Sequence, residues 1–343
     1  MVEEIEGVDV AGVTKWFETN IDGVEPPLEF DLIAGGRSNL TFKVTDSAGR
    51  RYVLRRPPKS HVLATAHDMS REFKIISALA PTPVPVPPAL GFTDDTSVNG
   101  APFYVMDFVD GLIVRDAKSA ERLTPDQRRV VGESLIDVLA DIHAVDPDQV
   151  GLGDLGRKEG YIERQLDRWY GQFQQSKTRE LPAVDLVHDA LAARIPDQGP
   201  ASIVHGDYRL DNCMTDDGGD VIAVLDWEIC TLGDPLADVG LLMVYWTERD
   251  DSSSMLLTAP TTAEGFLSRQ EVLDVYADAS GRDLAEIDYY IAFGYWKLAC
   301  IVEGVYARYV GGAMGGDATG FEGFAIQVER CAEAAAEAVG RLG

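Results

Sequence analysis

Two stretches of this chain carry side chains that could do chemistry together. The first, HGDYRLDN, runs from His205 to Asn212, and the second, VIAVLDWE at 221–228, contains Asp226. The segment DDGGD at 216–220 lies between them and is a strong turn signal, so we predict a hairpin that sets Asn212 opposite Asp226. Because amide and carboxylate oxygens suit magnesium better than zinc, this pair predicts a magnesium site.

A third polar side chain, Asp207, lies five residues before Asn212 in the loop that leads into the hairpin. There it could accept a proton from a hydroxyl group. The spacing His-x-Asp-x-x-x-x-Asn is also that of a protein-kinase catalytic loop. The alternative is an ordinary Asp/Asn-rich turn, but the strand that ends in Asp226 at the right distance makes the compound pattern more specific. The set of roles describes phosphoryl transfer.

The elements that must position these residues fall into two parts. The segment 1–28 is predicted to be a mostly helical entry segment. Alternation and turn signals then predict a β-rich part with one helix, and helical periodicity dominates after residue 110. The predicted strands are 29–34, 40–45, 51–55, 103–109, 202–205, 213–215 and 221–225. The predicted helices are 66–80, 124–144, 160–176, 182–195, 233–247, 269–280, 284–310 and 321–341. We therefore predict an α+β fold with a β-rich lobe, 1–109, and a larger, mostly helical lobe, 110–343.

Composition and charge limit the classes of function. Of the 343 residues, 45% are hydrophobic and 25% charged, which is typical of globular proteins. The formal net charge of −27 would repel phosphates, so nucleic acid is not an expected partner. The chain has no apolar run that would span a bilayer and its acidic start lacks a secretion signal, so we expect no membrane insertion and a cytoplasmic location. The four cysteines form no C-x-x-C pair and are expected to be reduced.

The motifs resemble those of the aminoglycoside phosphotransferase and choline kinase-like family, whose fold is similar to that of protein kinases. The matching segments are HGDYRLDN at 205–212, LDWE at 225–228 and GDPLAD at 233–238. The resemblance covers about residues 30–310. It implies a two-lobed, protein-kinase-like fold, ATP or GTP as the phosphoryl donor, Mg²⁺ as the metal, and a small hydroxylated molecule as the acceptor.

The same resemblance implies roles for individual residues of the motifs. Asp207 would orient and deprotonate the acceptor hydroxyl, while Asn212 and Asp226 would bind Mg²⁺. Arg209 would either neutralise the transferring phosphate or pair with a nearby carboxylate. The segment 234–238 is interpreted as a helix start, because an N-capping Asp before a first-turn Pro is common there.

A glycine turn between the first two predicted strands would cover the nucleotide phosphates, with contacts from Gly35, Gly36, Ser38 and Asn39. This turn is not a full G-x-G-x-x-G, and a plain hairpin turn is the alternative. The link between the lobes would hold the adenine edge through Met106, Asp107 and Val109, although Met106 also fits core packing.

The family's phosphate-binding Lys is replaced in this chain by Arg55. We predict that Arg55 pairs with Glu72, which falls on the apolar face of its helix, where an unpaired charge is costly. The alternative is a Glu that reaches water at a partly open interface. Arg keeps its charge and its planar fork, so it can still clamp phosphate. The segments 52–58 and 103–111 resemble a subgroup related to kinase-like domains fused to acyl-CoA dehydrogenases, in which similar Arg variants occur.

Residues that select the acceptor are expected mainly in the helical lobe, and the candidates are Glu228, Trp169 and Tyr295. For the two aromatic residues the alternative is core packing. The acidic balance suits a cationic acceptor, whereas the subgroup resemblance implies a hydroxylated acyl or lipid-like metabolite. Two other hypotheses remain: a nucleotide-binding regulatory module that has lost catalysis, as Arg55 suggests, and a metal-dependent hydrolase that uses water.

Overall fold

The computed structural model describes residues 5–34, 39–58, 68–251, 259–311 and 322–342. The chain divides into two compact units, one formed by Met1–Gly111 with Ile222–Ile229 and the other by Leu112–Val221 with Cys230–Gly343. The short segment that carries Asp226 therefore belongs with the N-terminal unit, although it lies far along the chain. A lobe boundary directly after residue 109 stays a prediction.

The first unit is built on a five-stranded antiparallel sheet with the strand order β1-β2-β3-β5-β4. Its strands are β1 (Glu29–Ala34), β2 (Leu40–Thr45), β3 (Arg51–Arg56), β4 (Ala89–Thr93) and β5 (Phe103–Asp107), and its helices are α1 (Val10–Asn20), α2 (Met69–Leu79) and α3 (Thr96–Asn99). The predicted strands are confirmed, although the last one ends at Asp107 rather than at residue 109.

One face of β2 forms the centre of the apolar core of this unit. Leu40, Phe42 and Val44 are buried in alternation with half-buried neighbours, as the period of two predicts. They pack in one cluster with Val13 and Phe17 of α1. The entry helix therefore covers the sheet, and this packing fixes the register of the strands that carry the site residues.

Strand β4 was not predicted from the sequence. It follows the proline-rich stretch 81–88 and contains Gly91, which weakens the strand signal. Gly91 is needed there because a Cβ atom would lie 2.8 Å from the Trp16 ring. The close approach of Trp16 thus explains both the glycine and the missed strand.

The second unit is mostly helical. Its helices are α4 (Ala117–Ala120), α5 (Pro125–Ala144), α6 (Tyr161–Ser176), α7 (Pro182–Ala192), α8 (Leu236–Tyr245), α9 (Arg269–Ser280), α10 (Ile287–Val310) and α11 (Glu322–Arg341). Strands β6 (Ser202–Val204) and β9 (Thr231–Gly233) pair antiparallel. Strand β7 is Cys213–Thr215, and β8 (Val221–Val224) lies, apart from Val221, in the segment Ile222–Ile229 of the first unit. The predicted long helices are confirmed, with ends shifted by a few residues.

The turn between β7 and β8 forms where the sequence predicts it. The Oδ1 atom of Asp216 accepts hydrogen bonds from the backbone N–H groups of Gly218, Gly219 and Asp220 at 2.8, 2.9 and 3.0 Å. Gly219 has φ of 105°, a conformation that favours glycine. Asp216 therefore holds the turn by satisfying three backbone donors at once.

Two other predictions from the sequence concern the state of the cysteines and the presence of membrane-spanning helices. All four cysteines are buried free thiols, as predicted. Within the described ranges, no helix combines the length and apolar character that crossing a bilayer requires.

Candidate functional site

The loop after β6 brings Asp207 and Asn212 together. Asn212 Nδ2 donates to the backbone carbonyl of Asp207 at 2.8 Å and to its Oδ2 atom at 3.1 Å. The Asp207 side chain keeps 27% of its surface exposed. Burial raises the pKa of Asp207, while Arg209, His205 and other neighbours act against the rise. Asp207 is thus a partly accessible carboxylate in a fixed orientation, as a proton acceptor requires.

A buried carboxylate on α8 holds this loop in place. Asp238 Oδ2 accepts from the His205 N–H at 2.6 Å, and its Oδ1 accepts from the Gly206 N–H at 2.8 Å. The interpretation of 234–238 as only a helix start is therefore incomplete. Asp234 lies just before α8 and its Oδ1 accepts from the Leu236 N–H at 3.1 Å, but Asp238 positions the loop. A carboxylate in the otherwise apolar α8 was the sequence signal that would have revealed it.

His143 on α5 completes the support of Asp238. Its Nε2 lies 3.4 Å from Asp238 Oδ2, and its Nδ1 lies 2.7 Å from the Tyr276 hydroxyl. Burial lowers the pKa of His143. For Asp238 burial acts to raise the pKa, but the hydrogen bonds from His143 and from the Gly206 N–H act against it, and the pKa lies below its ordinary value. A neutral His143 that donates through Nε2 to an ionised Asp238 fits all these observations.

Arg209 lies between two carboxylates of the same loop. Its Nε is 3.5 Å from Asp207 Oδ2, and its Nη2 is 3.1 Å from Asp211 Oδ2. The guanidinium also stacks over the Tyr245 ring, 4.8 Å from the centroid. The structure therefore confirms that Arg209 pairs with nearby carboxylates, and its contact with a phosphate stays a prediction.

In the first unit, Arg55 and Glu72 form the predicted ion pair. Arg55 Nη1 lies 3.0 Å from Glu72 Oε2, and Glu72 is only 1% exposed. Tyr104 donates to Oε2 at 2.9 Å and Asn39 donates to Oε1 at 2.8 Å. Burial raises the pKa of Glu72, and Arg55 and the hydrogen bonds oppose this rise. The Asn39 side chain thus supports the ion pair. Its burial is explained by this hydrogen bond, and its contact with a phosphate stays a prediction.

Arg55 also reaches Asp226 of the same unit. Its Nη2 lies 3.2 Å from Asp226 Oδ1. Burial lowers the pKa of Arg55, but Tyr104, Glu72 and Asp226 outweigh it and the pKa is raised, so the guanidinium stays charged. One cation therefore connects a buried carboxylate with a carboxylate that is 39% exposed.

The backbone at Asp226 has a strained conformation. Its φ of 62° lies in the left-handed region, which Asp tolerates better than most residues. The strand before it is anchored because the Val224 N–H donates to the Pro85 carbonyl at 2.8 Å. Buried Trp227 then donates through Nε1 to the Val224 carbonyl at 3.1 Å. The anchored strand and buried indole hold Asp226 in this conformation.

The two predicted metal ligands have donor atoms suited to magnesium. Because Asn212 Nδ2 is bound to Asp207, its Oδ1 faces elsewhere as an acceptor. Asp226 uses Oδ1 for Arg55 and has a second carboxylate oxygen. Within the part of the chain that the structure describes, no group of three or more His, Cys, Asp or Glu side chains could hold a metal. Carboxylate and amide oxygens are hard donors of the kind that Mg²⁺ accepts beside waters and phosphate oxygens, and the metal site itself stays a prediction.

The structure describes only some of the other residues that are predicted to bind the nucleotide. Gly35, Gly36 and Ser38 lie outside the described residues. Met106 is buried in the sheet. The backbone N–H groups of Asp107 and Phe108 donate to the carbonyls of Pro88 and Arg51. Val109 follows directly and is half-buried. The backbone of Asp107 is therefore used by the sheet, which leaves the adenine contact of this link as a prediction.

The three acceptor candidates lie in different surroundings. Glu228 is a half-buried residue of the first unit. Trp169 lies beside Lys297, whose Nζ is 5.8 Å from the ring centroid. Tyr295 packs against the helical core, and burial raises its pKa, with smaller effects from the charges of Arg269 and Asp251. Lys297 Nζ also donates to the Gly206 carbonyl of the loop at 3.2 Å, so the structure brings Trp169 near a residue that contacts the loop. Tyr295 lies instead among core residues and these charged groups.

Comparison with known proteins places the chain among phosphotransferases. Residues 29–289 match the phosphotransferase enzyme family. A mouse protein named acyl-CoA dehydrogenase family member 10 is 36% identical over 291 residues, which is 82% of this chain and 27% of that protein. Human acyl-CoA dehydrogenase family member 11 is 33% identical over 290 residues, or 83% and 37% of the two chains. The chain thus spans only about a third of the length of these relatives.

Solved structures show that the fold is kinase-like. A protein of Ralstonia eutropha assigned to the aminoglycoside phosphotransferases is 32% identical, covers 97% of this chain and 99% of its own, and superposes with a TM-score of 0.84. An aminoglycoside phosphotransferase in complex with AMP-PNP and hygromycin B is 17% identical, with coverages of 95% and 98% and a TM-score of 0.62. The predicted α+β, protein-kinase-like fold is therefore confirmed.

The Arg55–Glu72 pair generates a prediction about stability. Replacing Arg55 with Met should lower the free energy of unfolding by about 3–5 kcal/mol, because Glu72 would remain as a buried, uncompensated charge. Arg51→Met is the matched control on the same strand, since its ion pair with Asp110 is exposed, and it should cause a much smaller loss. Urea unfolding of both variants measures the difference, and equal losses would contradict the account.

The His143–Asp238 pair generates a prediction about pH. The pKa of His143 is lowered in the folded state, so below its ordinary value of about 6.5 the unfolded chain binds a proton that the folded chain does not. The free energy of unfolding should therefore fall as the pH is lowered from 7 to 5. His143→Gln should show a shallower fall in urea unfolding at each pH. An unchanged slope in this variant would show that His143 is not the group responsible.

Proposed function

The chain belongs to the phosphotransferase enzyme family, and from that premise we propose that it transfers the γ-phosphoryl group of ATP or GTP, with Mg²⁺, to a hydroxyl group of a small molecule. The observation that carries this proposal is the fixed pair of Asp207 and Asn212, in which the amide nitrogen of Asn212 holds the partly exposed carboxylate. A base and an amide oxygen five residues apart are the parts that phosphoryl transfer requires.

Asp207 acts as the proton acceptor. The acceptor hydroxyl oxygen forms a bond to the γ-phosphorus, the bond from that phosphorus to the bridging oxygen breaks, and the hydroxyl proton passes to Asp207. The nucleoside diphosphate leaves. Burial raises the pKa of Asp207, which makes it a somewhat stronger base than an exposed carboxylate, while the charges of Arg209 and Lys297 act against this rise. The loop contributes mainly orientation.

Asn212 Oδ1 and the Asp226 carboxylate are the groups that would hold Mg²⁺. Bound there, the metal would neutralise charge on the nucleotide phosphates. Arg55 would add a permanent positive charge on the nucleotide side, kept in place by Glu72. The turn with Gly35, Gly36, Ser38 and Asn39 would cover the phosphates, and the link at Met106, Asp107 and Val109 would meet the base.

The acceptor is a small hydroxylated molecule. Hygromycin B and kanamycin occupy structures of related fold, but those proteins are under 25% identical to this chain and indicate only that the fold accommodates such ligands. Within this chain, Trp169 is the aromatic candidate beside the loop contact Lys297, and Glu228 supplies a carboxylate near Asp226 in the sequence. Trp169 and Tyr295 both pack against the helical core, but Trp169 also lies beside Lys297, so Tyr295 is the weaker of the two aromatic candidates.

A second candidate function is a nucleotide-binding module without turnover. The specific observation in its favour is that Arg55 binds both Glu72 and Asp226, so that a proposed metal ligand is already paired with a cation. Against it stands the orientation of Asp207 by Asn212 and of the whole loop by Asp238, because a module that only binds nucleotide has no use for a positioned base. The following experiment distinguishes the two.

Replacing Asp207 with Asn should lower acceptor-dependent formation of ADP or GDP by at least about 100-fold, since a positioned base contributes about 10²–10⁴ to the rate. The assay follows nucleoside diphosphate release with Mg²⁺ and a panel of aminoglycosides, amino alcohols, sugars and hydroxyacyl compounds. Binding of the nucleotide and the melting temperature should be retained.

Asp217→Asn is the matched control, because Asp217 is an exposed residue of the neighbouring turn, and it should keep the wild-type rate. Full activity in the Asp207 variant would contradict the assignment of the base. Nucleotide binding by the wild type with no turnover on any acceptor would favour the module without catalysis.

A further inference from the structure

A lysine of α10 is buried directly against the catalytic loop. Lys297 is only 5% exposed, and its Nζ donates to the Gly206 carbonyl at 3.2 Å. Within the described parts of the chain it forms no ion pair with a carboxylate. A buried ammonium group without such a pair is costly, so its retention on an otherwise apolar helix face calls for a role.

The position of this contact is special because Gly206 is held from both sides. Its N–H donates to Asp238 Oδ1 at 2.8 Å, and its carbonyl accepts from Lys297. Gly206 has φ of 87°, a left-handed conformation that bends the chain immediately before Asp207. A side chain from α8 and another from α10 thus fix the peptide groups on the two sides of the bend.

We propose that Lys297 is a positioning residue, which holds the Gly206 carbonyl and thereby fixes the peptide group that carries Asp207 toward the acceptor hydroxyl. This inference rests on the proposed phosphoryl transfer and extends it to a residue outside the sequence motifs. Lys297 itself does not touch the reacting atoms. It acts through the backbone of the loop.

The surroundings of Lys297 support a structural bond rather than direct chemistry. The Trp169 ring lies 5.8 Å from Nζ and covers it, and burial is the main cause that lowers its pKa, opposed by Asp238 and Asp207. A lysine amine carries N–H donors in its charged and its neutral form alike. The bond to the Gly206 carbonyl therefore does not depend on the protonation state.

The test compares Lys297→Met with Lys297→Arg and with Val302→Ala. Met keeps the length of the side chain and removes the donor, whereas Arg restores a donor. Val302 is buried on the same helix, so its truncation weakens α10 packing without removing a contact to Gly206. The readouts are amide hydrogen exchange of a peptide spanning 205–208, and kcat and KM with MgATP and the acceptor found in the screen above.

We expect Lys297→Met to speed exchange in 205–208 and to lower kcat about 10- to 100-fold, as a displaced catalytic group does, with the KM for ATP unchanged. Lys297→Arg should recover part of kcat, and Val302→Ala should leave both the loop exchange and kcat near those of the wild type. Unchanged exchange in Lys297→Met, or faster exchange with unchanged kcat, would overturn the proposal.

The failure of the underlying function has a different signature. If the wild type turns over no acceptor, the proposed phosphoryl transfer fails, and with it the catalytic meaning of Lys297. In that case the exchange measurement still decides whether Lys297 anchors the loop. Equal loosening of 205–208 in Lys297→Met and Val302→Ala would show that the lysine contributes only to the general packing of α10.

Discussion

The loop 205–212, which carries Asp207 and Asn212, depends on one buried carboxylate, Asp238. Its two oxygens bind the N–H groups of His205 and Gly206, which the bend before Asp207 would otherwise leave without partners inside the protein. Ionisation of Asp238 makes these hydrogen bonds strong, and His143 keeps that ionised form favourable despite full burial. The orientation of Asp207 is therefore fixed during folding, before any substrate is present.

The first unit follows a similar principle with a different partner. Glu72 is also a buried carboxylate, but it binds the side chains of Arg55, Tyr104 and Asn39 instead of backbone groups. Because all of these partners are in place, the guanidinium that would face a nucleotide is held rigidly. Preorganised charges and dipoles of this kind stabilise a transition state without the reorganisation that water would require. Each unit thus carries its own prepared set of polar groups.

Much of the fold followed from periodicity, because α5, α6 and the β2 strand have clear apolar faces. Strand β4 did not, since Gly91 is explained by the approach of Trp16 from a distant part of the chain. For the site, Glu72 was found because a carboxylate on an apolar helix face demands a partner. The same reasoning applied to Asp238, but the cap and proline before it offered a sufficient local explanation. Lys297 had no local signal, because only tertiary packing brings α10 to the loop.

The most direct test of the account is to follow the fate of the γ-phosphoryl group by ³¹P NMR. MgATP or MgGTP is mixed with the protein and each member of the hydroxyl panel, and all phosphorus species are observed together. The account predicts that the γ-phosphate signal is replaced by that of a phosphate monoester on one acceptor, in equal amount to the nucleoside diphosphate formed. Inorganic phosphate as the sole product would contradict transfer to a hydroxyl compound and indicate hydrolysis.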